Sequence, residues 1–430
     1  MQINVHNYKV SQSLRNSAGG KTDKALLQAE MKAWLEATIA DDNADFAVVV
    51  CDEYSEFGQL KAENQQGAGP VKIHGHTSCM GNLSQEGLAL SGANNPILSL
   101  MTIKDKEGSY GVAIKDYDGA SSAQAQNAGA QALLEALEDA GRTGEVPHMI
   151  MICATPGQEE YVIKGIKSVV GTAAPIVGGT AADNMIKGNW RIFTADKQSQ
   201  SGVLVSVLFS STPVESAFHS GYTPTGSHGI VTKAKGRKIF TIDGKPASHV
   251  YNAWSNQALS KALKNFEQDP QCTSESILHI SNIYPLGRYL ADNDDSLLLA
   301  HPETVYADGS ISLFAEVQEG TEIHCLTGTL DNLTSRAGRV IRSAQDSIPE
   351  GYEVAGCILV YCAGCMLAVR TKMSDVVYAV RQELDDLPFL GMFTFGEQGC
   401  LRDSDSLHGN LMISALLFTR KKNSDKQAGK

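Results

Sequence analysis

The sequence lacks any apolar run approaching the ~18 residues that a membrane-spanning helix needs. Its first residues, MQINVHNYKVSQSLRNSAGGK, lack the apolar core and the cleavage site of a secretory signal. Both absences predict a cytoplasmic protein without a membrane span. Aromatic residues make up only 7%, yet hydrophobic residues reach 42% and charged residues 20%, so the chain has enough apolar material for globular cores.

Basic residues are also few: the chain has 36 Lys and Arg residues and 48 Asp and Glu residues, and its formal net charge is −12. Nucleic acids and anionic membranes attract clustered Lys and Arg, so this balance argues against both as partners. One basic cluster, TRKKNSDKQAGK, covers residues 419–430. A solvated, disordered tail is expected there.

The cysteines do not indicate a disulfide framework. There are nine, an odd number, and most lie in apolar runs such as AVVVCD, MIMICAT and CILVYCAGC. In a reducing compartment they are expected to be small core residues.

Metal binding is not favoured either. Cys357, Cys362 and Cys365 have a ferredoxin-like spacing, but residues five apart on one strand point to opposite faces. His74 and His76 share a strand face without a third ligand nearby, and the intervening glycine is explained by a close approach of another chain segment. We therefore predict no metal site.

Three segments of the chain share one layout: an apolar strand, a spacer, a second strand beginning at Pro, a polar loop and a last apolar strand. They cover residues 44–103, 147–209 and 356–418. The first strand and the Pro are 26, 28 and 32 residues apart. Such similar spacing predicts one supersecondary unit used three times.

The spacers of the second and third segments are predicted helices. In TPGQEEYVIKGIKSVVG, Thr155 is the expected N-cap, Pro156 the first helical residue, Gln158 the capping-box partner and Gly171 the residue past the end. One apolar face of this helix consists of Val162, Ile163, Ile166 and Val170. The corresponding face in the third segment consists of Val376, Val377, Val380, Leu384 and Leu387. A strand, a helix and a returning strand form a right-handed crossover, so the fold class is α/β.

Residues 211–355 have a different pattern. Asp243–Gly244 and Asp308–Gly309 are typical of hairpin turns, and amphipathic helices are predicted near 246–267 and 329–347. The fold prediction is therefore α/β, with α+β parts: two related mixed-sheet modules with repeated strand–helix–strand–strand units.

Several motifs in a fixed order resemble the FIST proteins, a family of intracellular sensory domains. The N-terminal part carries HGHTSCMG, PIVGGTAADN and WRIFTADKQSQSGVLVSVLF, and the C-terminal part carries GYTPTGSHGIVTKAKGRKIFTIDGKPASHVY, YPLGR, YCAGC and PFLGMFTFGEQG. The resemblance implies an extension at 1–29, a FIST N-terminal module at 30–220, a FIST C-terminal module at 221–418 and the tail at 419–430. Two positions depart from the family pattern: Cys365 stands where Arg is usual, and the segment 75–81 contains no acidic residue.

The resemblance implies a ligand-binding sensor, and loops after the carboxyl ends of strands are favoured ligand positions in such sheets. The predicted ligand-binding residues are Thr77, Ser78, Thr180, Asp183, Arg288, Cys362, Thr394 and Glu397. Their hydroxyls and carboxylates suit a small polar molecule with an ammonium group, and Arg288 suits a ligand carboxylate. The alternative for the loop residues is that they satisfy backbone groups of their own turns.

These observations predict a sensory protein that is not an enzyme and needs no cofactor. It would bind an amino-acid-like metabolite and signal through a separately encoded protein, of the histidine kinase, cyclase or chemoreceptor type. Two alternatives stay open. The resemblance also includes haem-dependent nitric-oxide sensors, for which His76, His228 and His249 are candidate axial ligands. A thiol-dependent enzyme would use Cys362 or Cys365.

Overall fold

The computed structural model of the protein describes residues 1–11, 24–63, 69–92, 95–290, 297–401 and 405–422. Residues 12–23 of the predicted extension and 423–430 of the predicted tail lie outside this part. The fold is mixed α/β, as predicted from the sequence. Across the described ranges, no helix is long and apolar enough to cross a membrane.

The three predicted segments, together with the elements that precede them along the chain, are called the first, second and third repeats. The first repeat supplies six strands and one helix. They are β1 (Gln2–Asn7), α1 (Lys24–Asp42), β2 (Phe46–Cys51), β3 (Lys72–Thr77), β4 (Gly81–Ser84), β5 (Gly87–Leu90) and β6 (Leu98–Lys104). Strands β2 and β3 are parallel, and β6 runs antiparallel to β2. Every residue of β2, FAVVVC, is buried, which is typical of a central strand covered on both faces.

The second repeat has the same strands and an additional helix in its crossover. Its elements are β7 (Ser109–Asp116), α2 (Ser122–Asp139), β8 (Met149–Ala154), α3 (Glu159–Val170), β9 (Ile176–Thr180), β10 (Ile192–Phe193), β11 (Gln198–Ser199) and β12 (Gly202–Phe209). Strands β8 and β9 form the parallel pair, with α3 between them as predicted.

The predicted N-terminus of α3 is wrong. The helix begins at Glu159, because Gly157 has φ +123° and turns the chain away from helical geometry after Thr155. Thr155 instead donates its hydroxyl to the carbonyl of Gly202 at 3.2 Å. Gln158, the predicted capping-box partner, is the N-cap residue and makes no side-chain cap hydrogen bond. The predicted end is confirmed, since Gly171 follows the helix with φ +65°.

The third repeat opens with β13 (Val214–Ser220) and is then interrupted by an inserted unit, residues 223–327. The elements of this unit are β14 (Thr223–Lys235), β15 (Lys238–Ile242), β16 (Lys245–Pro246), α4 (Ala247–Trp254), α5 (Ser260–Gln268), β17 (Ser274–Ser276), α6 (Leu278–Ser281), β18 (Leu286–Tyr289), β19 (Leu297–Ala300), β20 (Pro302–Tyr306), β21 (Ile311–Leu313) and β22 (Glu322–Thr327). Its nine strands form one sheet. Both predicted hairpins are confirmed, since Asp243–Gly244 joins β15 to β16 and Asp308–Gly309 joins β20 to β21. The helix predicted at 246–267 is wrong as a single element: Asn256 and Gln257, with φ +55° and +61°, separate α4 from α5.

The third repeat then resumes. Its remaining elements are α7 (Leu330–Gln345), β23 (Tyr352–Cys362), α8 (Ala363–Ala368), a 3₁₀ turn (Arg370–Lys372), α9 (Met373–Leu384), β24 (Phe389–Thr394), β25 (Glu397–Cys400), β26 (Ser406–Gly409) and β27 (Met412–Lys421). Helix α9 ends at Leu384, so Leu387 lies outside the predicted apolar face. Glu397, predicted in a loop, is the first residue of β25.

The three repeats build three six-stranded sheets with the same strand order. The orders are β1-β6-β2-β3-β10-β11, β7-β12-β8-β9-β25-β26 and β13-β27-β23-β24-β4-β5. In each sheet the last two strands are a hairpin supplied by another repeat: β10–β11 completes the first sheet, β25–β26 the second and β4–β5 the third. The repeats therefore interlock in a ring. Strand β4 therefore pairs with β24, and β25 with β9, across the predicted module boundary near residue 221. The boundary itself stays a prediction.

The three sheets turn one face inward and one face outward. The inward faces share a hydrophobic core, to which the first sheet contributes Val48 and the second and third contribute Met151 and Val360. The outward faces are covered by helices, with α1 on the first sheet, α2 and α3 on the second, and α7 and α9 on the third. This arrangement brings the carboxyl ends of β3, β9 and β24 together.

Candidate functional site

Backbone hydrogen bonds join the three strand ends in a closed ring. Cys79, just after β3, donates its N–H to the carbonyl of Phe393 at 2.9 Å. Phe395, just after β24, donates to Thr180 at 3.1 Å, and Ala182, just after β9, donates to Thr77 at 3.1 Å. The loops that were predicted to meet are thus held side by side by the exchange of hairpins.

The side-chain hydroxyls at these strand ends form hydrogen bonds with neighbouring groups of the protein. Thr77 accepts a hydrogen bond from the backbone N–H of Arg191 at 2.9 Å, and Thr180 accepts one from the side chain of Gln398 at 3.2 Å. Ser78 accepts the N–H of Phe393 at 2.8 Å and donates to the carbonyl of Gly81 at 2.5 Å. All three side chains are buried and form these hydrogen bonds within the protein.

Beside the ring lies a cavity of about 250 Å³, which we call the junction cavity. Its walls come from all three strand-end loops, from the start of α8 and from the inserted unit. The lining residues are Cys79, Met80, Asn184, Met185, Ile186, Leu278, Asn282, His301, Phe314, Cys362, Ala363, Gly364, Leu367 and Phe395. Most of these side chains are apolar, so the cavity suits a small molecule with an apolar body.

Two polar side chains of the inserted unit face this apolar lining. The amide oxygen Oδ1 of Asn282 is buried and has no hydrogen-bond partner among the described residues. His301 is fixed by a hydrogen bond between its Nε2 and the hydroxyl of Ser281 at 2.8 Å, and burial lowers the pKa of its imidazole to about 3. His301 is therefore neutral at physiological pH. An unpaired buried oxygen is costly, and Asn282 is the position where a ligand N–H would relieve that cost.

Asp183 holds the loop that forms one wall of the junction cavity. Its buried carboxylate accepts backbone N–H groups of Met185 at 3.1 Å, of Ile186, and of Lys187 and Asn189 at 2.8 Å. This is the turn-satisfying arrangement that the sequence left open as an alternative to ligand binding. Met185 and Ile186 line the cavity and are nevertheless 65% and 45% exposed, so the loop forms its rim.

Glu397 lies below the cavity in a fully buried position. Its carboxyl accepts the hydroxyl of Thr394 at 2.8 Å and the N–H of Met412 at 3.1 Å, and it lies within hydrogen-bonding reach of the Cys362 thiol. Burial, together with that thiol, raises the pKa of Glu397 well above 4.5. The side chain is therefore inclined to retain its proton, and it is already engaged within the protein.

Cys362 connects this carboxyl to a second buried group, which we call the thiol–arginine cluster: Cys362, Cys365 and Arg336. Cys362 is the N-cap residue of α8 and lines the junction cavity, whereas Cys365 lies behind it with no exposed surface. Burial opposes the thiolate of Cys365, but a hydrogen bond from Cys362 and the charge of Arg336 outweigh it and lower the pKa of this thiol. In Cys362 burial and the neighbouring Cys365 raise the pKa instead.

Arg336 is a fully buried arginine in the cluster. One guanidinium nitrogen donates to the carbonyl of Leu411 at 3.2 Å, while Nε and Nη2 have no hydrogen-bond partner within the described ranges. The guanidinium lies over the rings of Tyr222 and Tyr361, 5.6 and 5.3 Å from their centroids. Such ring faces attract a cation but do not neutralise it.

Thr180 leads to a separate polar chain. It donates its hydroxyl to Glu159 at 3.0 Å, and Glu159 pairs with Arg237 of the inserted unit at 2.5 Å. Burial disfavours the charge of Glu159, yet Arg237 and His408 outweigh burial and lower the pKa of Glu159 to about 2. This buried ion pair ties the inserted unit to the second repeat.

Arg288 lies apart from the other predicted ligand residues. It lines a second cavity of about 180 Å³ between α3 and the inserted unit, together with Glu160, Lys164 and His408. We call it the Arg288 cavity. Burial lowers the pKa of Arg288, and nearby Glu160 partly offsets the effect. The eight predicted ligand residues therefore do not form one group. Arg288 lines this second cavity, and the other seven lie at the strand ends or at the start of α8.

The three histidines considered for haem have unlike surroundings. His76 is buried in the central core, with Nε2 3.0 Å from Met392 Sδ and Nδ1 3.1 Å from the carbonyl of Thr77. His228 is exposed near Glu322, and His249 is exposed on α4. The three histidines therefore lie in separate places, and none of them lines the junction cavity. Where the chain is described, no three His, Cys, Asp or Glu side chains are placed to hold a metal ion.

Sequence reasoning missed Asn282, His301 and Arg336. The burial of Arg336 could have been predicted from the sequence, because the residue falls on the apolar stripe that Leu333 and Val340 define on α7. Asn282 and His301 had none, since a single polar residue in a loop or beside a strand is ordinary in any sequence.

Comparison with known proteins gives a family. A family model described as the FIST N domain matches residues 45–245, and one described as the FIST C domain matches residues 251–400. FIST domains are sensory domains implicated in signal transduction and small-ligand binding. No curated protein matches the chain.

Among solved structures, a cyanuric acid hydrolase from A. caulinodans is similar at 8% identity and a TM-score of 0.34, over 96% of this chain and 98% of that one. PurLQS from Thermotoga maritima is similar at 9% identity and a TM-score of 0.23, over 74% and 73%. Scores this low support no inference about fold or function. The two family models, by contrast, together span far more than half of the chain, and the chain belongs to the FIST family.

Proposed function

We propose that this protein is a non-catalytic sensor that binds a small ligand in the junction cavity and signals through a separate partner protein. The observation that carries the proposal is the unpartnered Oδ1 of Asn282, buried in the wall of a mostly apolar cavity. Family membership supports the sensory role, and the cavity supplies a place for the ligand.

The lining favours an amino-acid-like ligand with an apolar side chain. An ammonium group would donate to Asn282 Oδ1, and the apolar body would lie against Phe314, Phe395 and Leu367. Asp183 and Glu397, which the sequence suggested as ammonium partners, are engaged with the protein's own N–H and O–H groups. We therefore assign the ammonium to Asn282.

A ligand in this cavity would touch both the ring of repeats and the inserted unit. It would favour the arrangement in which both walls fit it, and this shift in population is the signal that a partner reads. The apolar rim supplies a surface for such a reader, since Met185 and Leu367 are 65% and 42% exposed. The partner belongs to the histidine kinase, cyclase or chemoreceptor class in this proposal.

A thermal-shift panel of amino acids and related metabolites tests the proposal. A ligand at a hundred times its Kd adds about 2.7 kcal/mol to the free energy of unfolding. We expect Asn282→Leu to abolish the shift, while Arg288→Ala, in the other cavity, retains it. Loss of the shift in Arg288→Ala, with Asn282→Leu unchanged, would assign the ligand to the Arg288 cavity instead.

A thiol-dependent enzyme is the second candidate function. The lowered pKa of Cys365 favours it, because a thiolate is the reactive form. Against it, Cys365 has no exposed surface and sits behind the cavity wall. Retention of every screened activity after alkylation of Cys362 and Cys365 would end this candidate.

A further inference from the structure

Two thiols stand next to each other at the start of α8, in the sequence Cys362-Ala-Gly-Cys365. Cys362 is the N-cap residue and Cys365 the third residue of the helix, positions whose side chains are neighbours on a helical turn. The two thiols are hydrogen-bonded to each other. Residues three apart on a helical turn lie about 5–6 Å from each other. A disulfide can bridge such a separation.

The surroundings favour negative charge on this pair. Arg336 is buried and forms no salt bridge with a carboxylate in the described part of the chain, so the Cys365 sulfur is its main source of compensating charge. A buried cation without a partner is unstable, which favours the thiolate form of the pair. The one proton between the sulfurs therefore resides on Cys362, and the Cys365 thiolate beside it is the acceptor for that proton when Cys362 reacts.

Access to the pair is from one side. Cys362 lines the junction cavity, whereas Cys365 is enclosed behind it. Cys79 also lines the cavity, and burial and the nearby Asp183 raise the pKa of its thiol to about 12. Cys362 differs from it in having the Cys365 thiolate as a hydrogen-bonded proton acceptor. A small oxidant in the cavity therefore meets Cys362 first.

We propose that Cys362 and Cys365 form a reversible disulfide when a peroxide enters the junction cavity. Cys362 passes its proton to the Cys365 thiolate and attacks one oxygen of hydrogen peroxide, the O–O bond breaks, and the released hydroxide takes a proton from solvent to become water. The Cys365 thiol then attacks the sulfenic sulfur, the S–O bond breaks, and the proton of Cys365 leaves with the hydroxide as a second water. Two thiols lose two protons and two electrons, and the peroxide is reduced to two waters. This inference rests on the thiol pair and does not depend on the proposed ligand.

The test uses the full-length reduced protein and hydrogen peroxide. After treatment and denaturation, the nine titratable thiols are expected to fall to seven and to return to nine with dithiothreitol. Peptide mapping after thiol blocking should find the bond between Cys362 and Cys365. Exposure alone would instead direct oxidation to Cys272 and Cys400, the two cysteines that are not fully buried.

Three variants sharpen the result. Cys365→Ser and Cys362→Ser should each prevent the loss of two thiols, and Cys79→Ser, from the same cavity, should keep it. Arg336→Met, if folded by circular dichroism, should slow the loss about tenfold, since one unit of thiol pKa changes the thiolate fraction by that factor. No loss of thiols in a molar excess of peroxide, or a loss that maps to Cys272 and Cys400, would overturn the proposal.

Discussion

The carboxyl of Glu397 accepts the hydroxyl of Thr394 at 2.8 Å, across the tight turn that separates β24 from β25. Both residues are fully buried, and the same carboxyl holds the first backbone N–H of β27, at Met412. The turn that begins the exchanged hairpin is thus organised around one acidic side chain. The pKa of that side chain determines how its contribution to stability varies with pH.

Glu397→Gln is expected to change the stability of the protein in a pH-dependent way. The pKa of Glu397 is raised in the folded state, so above its unfolded value of 4.5 the unfolded chain loses the proton first and stability falls as pH rises. The amide avoids this loss and keeps an oxygen for Thr394, but its NH2 group cannot accept the N–H of Met412, which costs about 1–3 kcal/mol at every pH. Relative to that constant cost, the variant should gain nothing below pH ~4.5 and about 1.4 kcal/mol above it for each unit of raised pKa.

Urea unfolding at about pH 4 and about pH 8 measures this difference. Glu353→Gln is the matched control, because Glu353 forms a partly exposed salt bridge with Arg420 and its loss should cost under about 1 kcal/mol. An equal effect of Glu397→Gln at both pH values would show that Glu397 ionises normally.

Glu159→Gln should have the opposite pH dependence. It leaves the partly buried Arg237 without its most enclosed partner, which should cost about 3 kcal/mol at pH 7. The pKa of Glu159 is lowered to about 2, so its contribution is present above pH 4.5 and is lost as pH falls from 4.5 toward 2. Chemical unfolding of wild type and variant across this range checks the sign. Glu160→Gln, at a more exposed carboxylate on the same arginine, should cost less; an equal cost would contradict the assignment.

The exchange of hairpins can be tested at Gly75 and Phe193. A Cβ at Gly75 would lie 2.2 Å from the Phe193 ring of the hairpin strand β10, which comes from the second repeat. Gly75→Ala should therefore cost about 1–3 kcal/mol of unfolding free energy. In a double-mutant cycle, Phe193→Leu should relieve part of that cost. Additive effects would mean that the two residues are not in contact.

Haem binding has a simple spectroscopic test. His76 is enclosed among the packed side chains of the core, so we expect no Soret band in protein purified from haem-supplied cells. A Soret band that disappears in His76→Ala, His228→Ala or His249→Ala would instead identify an axial ligand and support the nitric-oxide sensor alternative.

Much of the fold follows from local patterns. The three strand pairs and the crossover helices were predictable because fully apolar strands, Pro at a strand start and helical apolar faces are read over a few neighbouring residues. The hairpin exchange was not predictable, because the pairing of Asn82 with Met392 joins positions more than 300 residues apart. Nothing in either segment alone specifies its partner.

The candidate site was predictable only in part. Equivalent loops implied that the strand ends carrying Thr77, Thr180 and Thr394 would come together, and backbone hydrogen bonds join these strand ends. Arg288 lies in a different cavity because its position depends on how the inserted unit packs against α3. Glu397 was expected in a loop, but the glycine-rich stretch after Phe395 continues directly into an edge hairpin. Long-range packing decided both positions.

The central claim is that a small ligand occupies the junction cavity, and a crystal structure of the protein with the amino acid that stabilises it most in the thermal-shift panel tests this most directly. We predict ligand density between Phe395 and Asn282, with a ligand nitrogen within hydrogen-bonding distance of Asn282 Oδ1. Ligand density in the Arg288 cavity, with none in the junction cavity, would contradict the account.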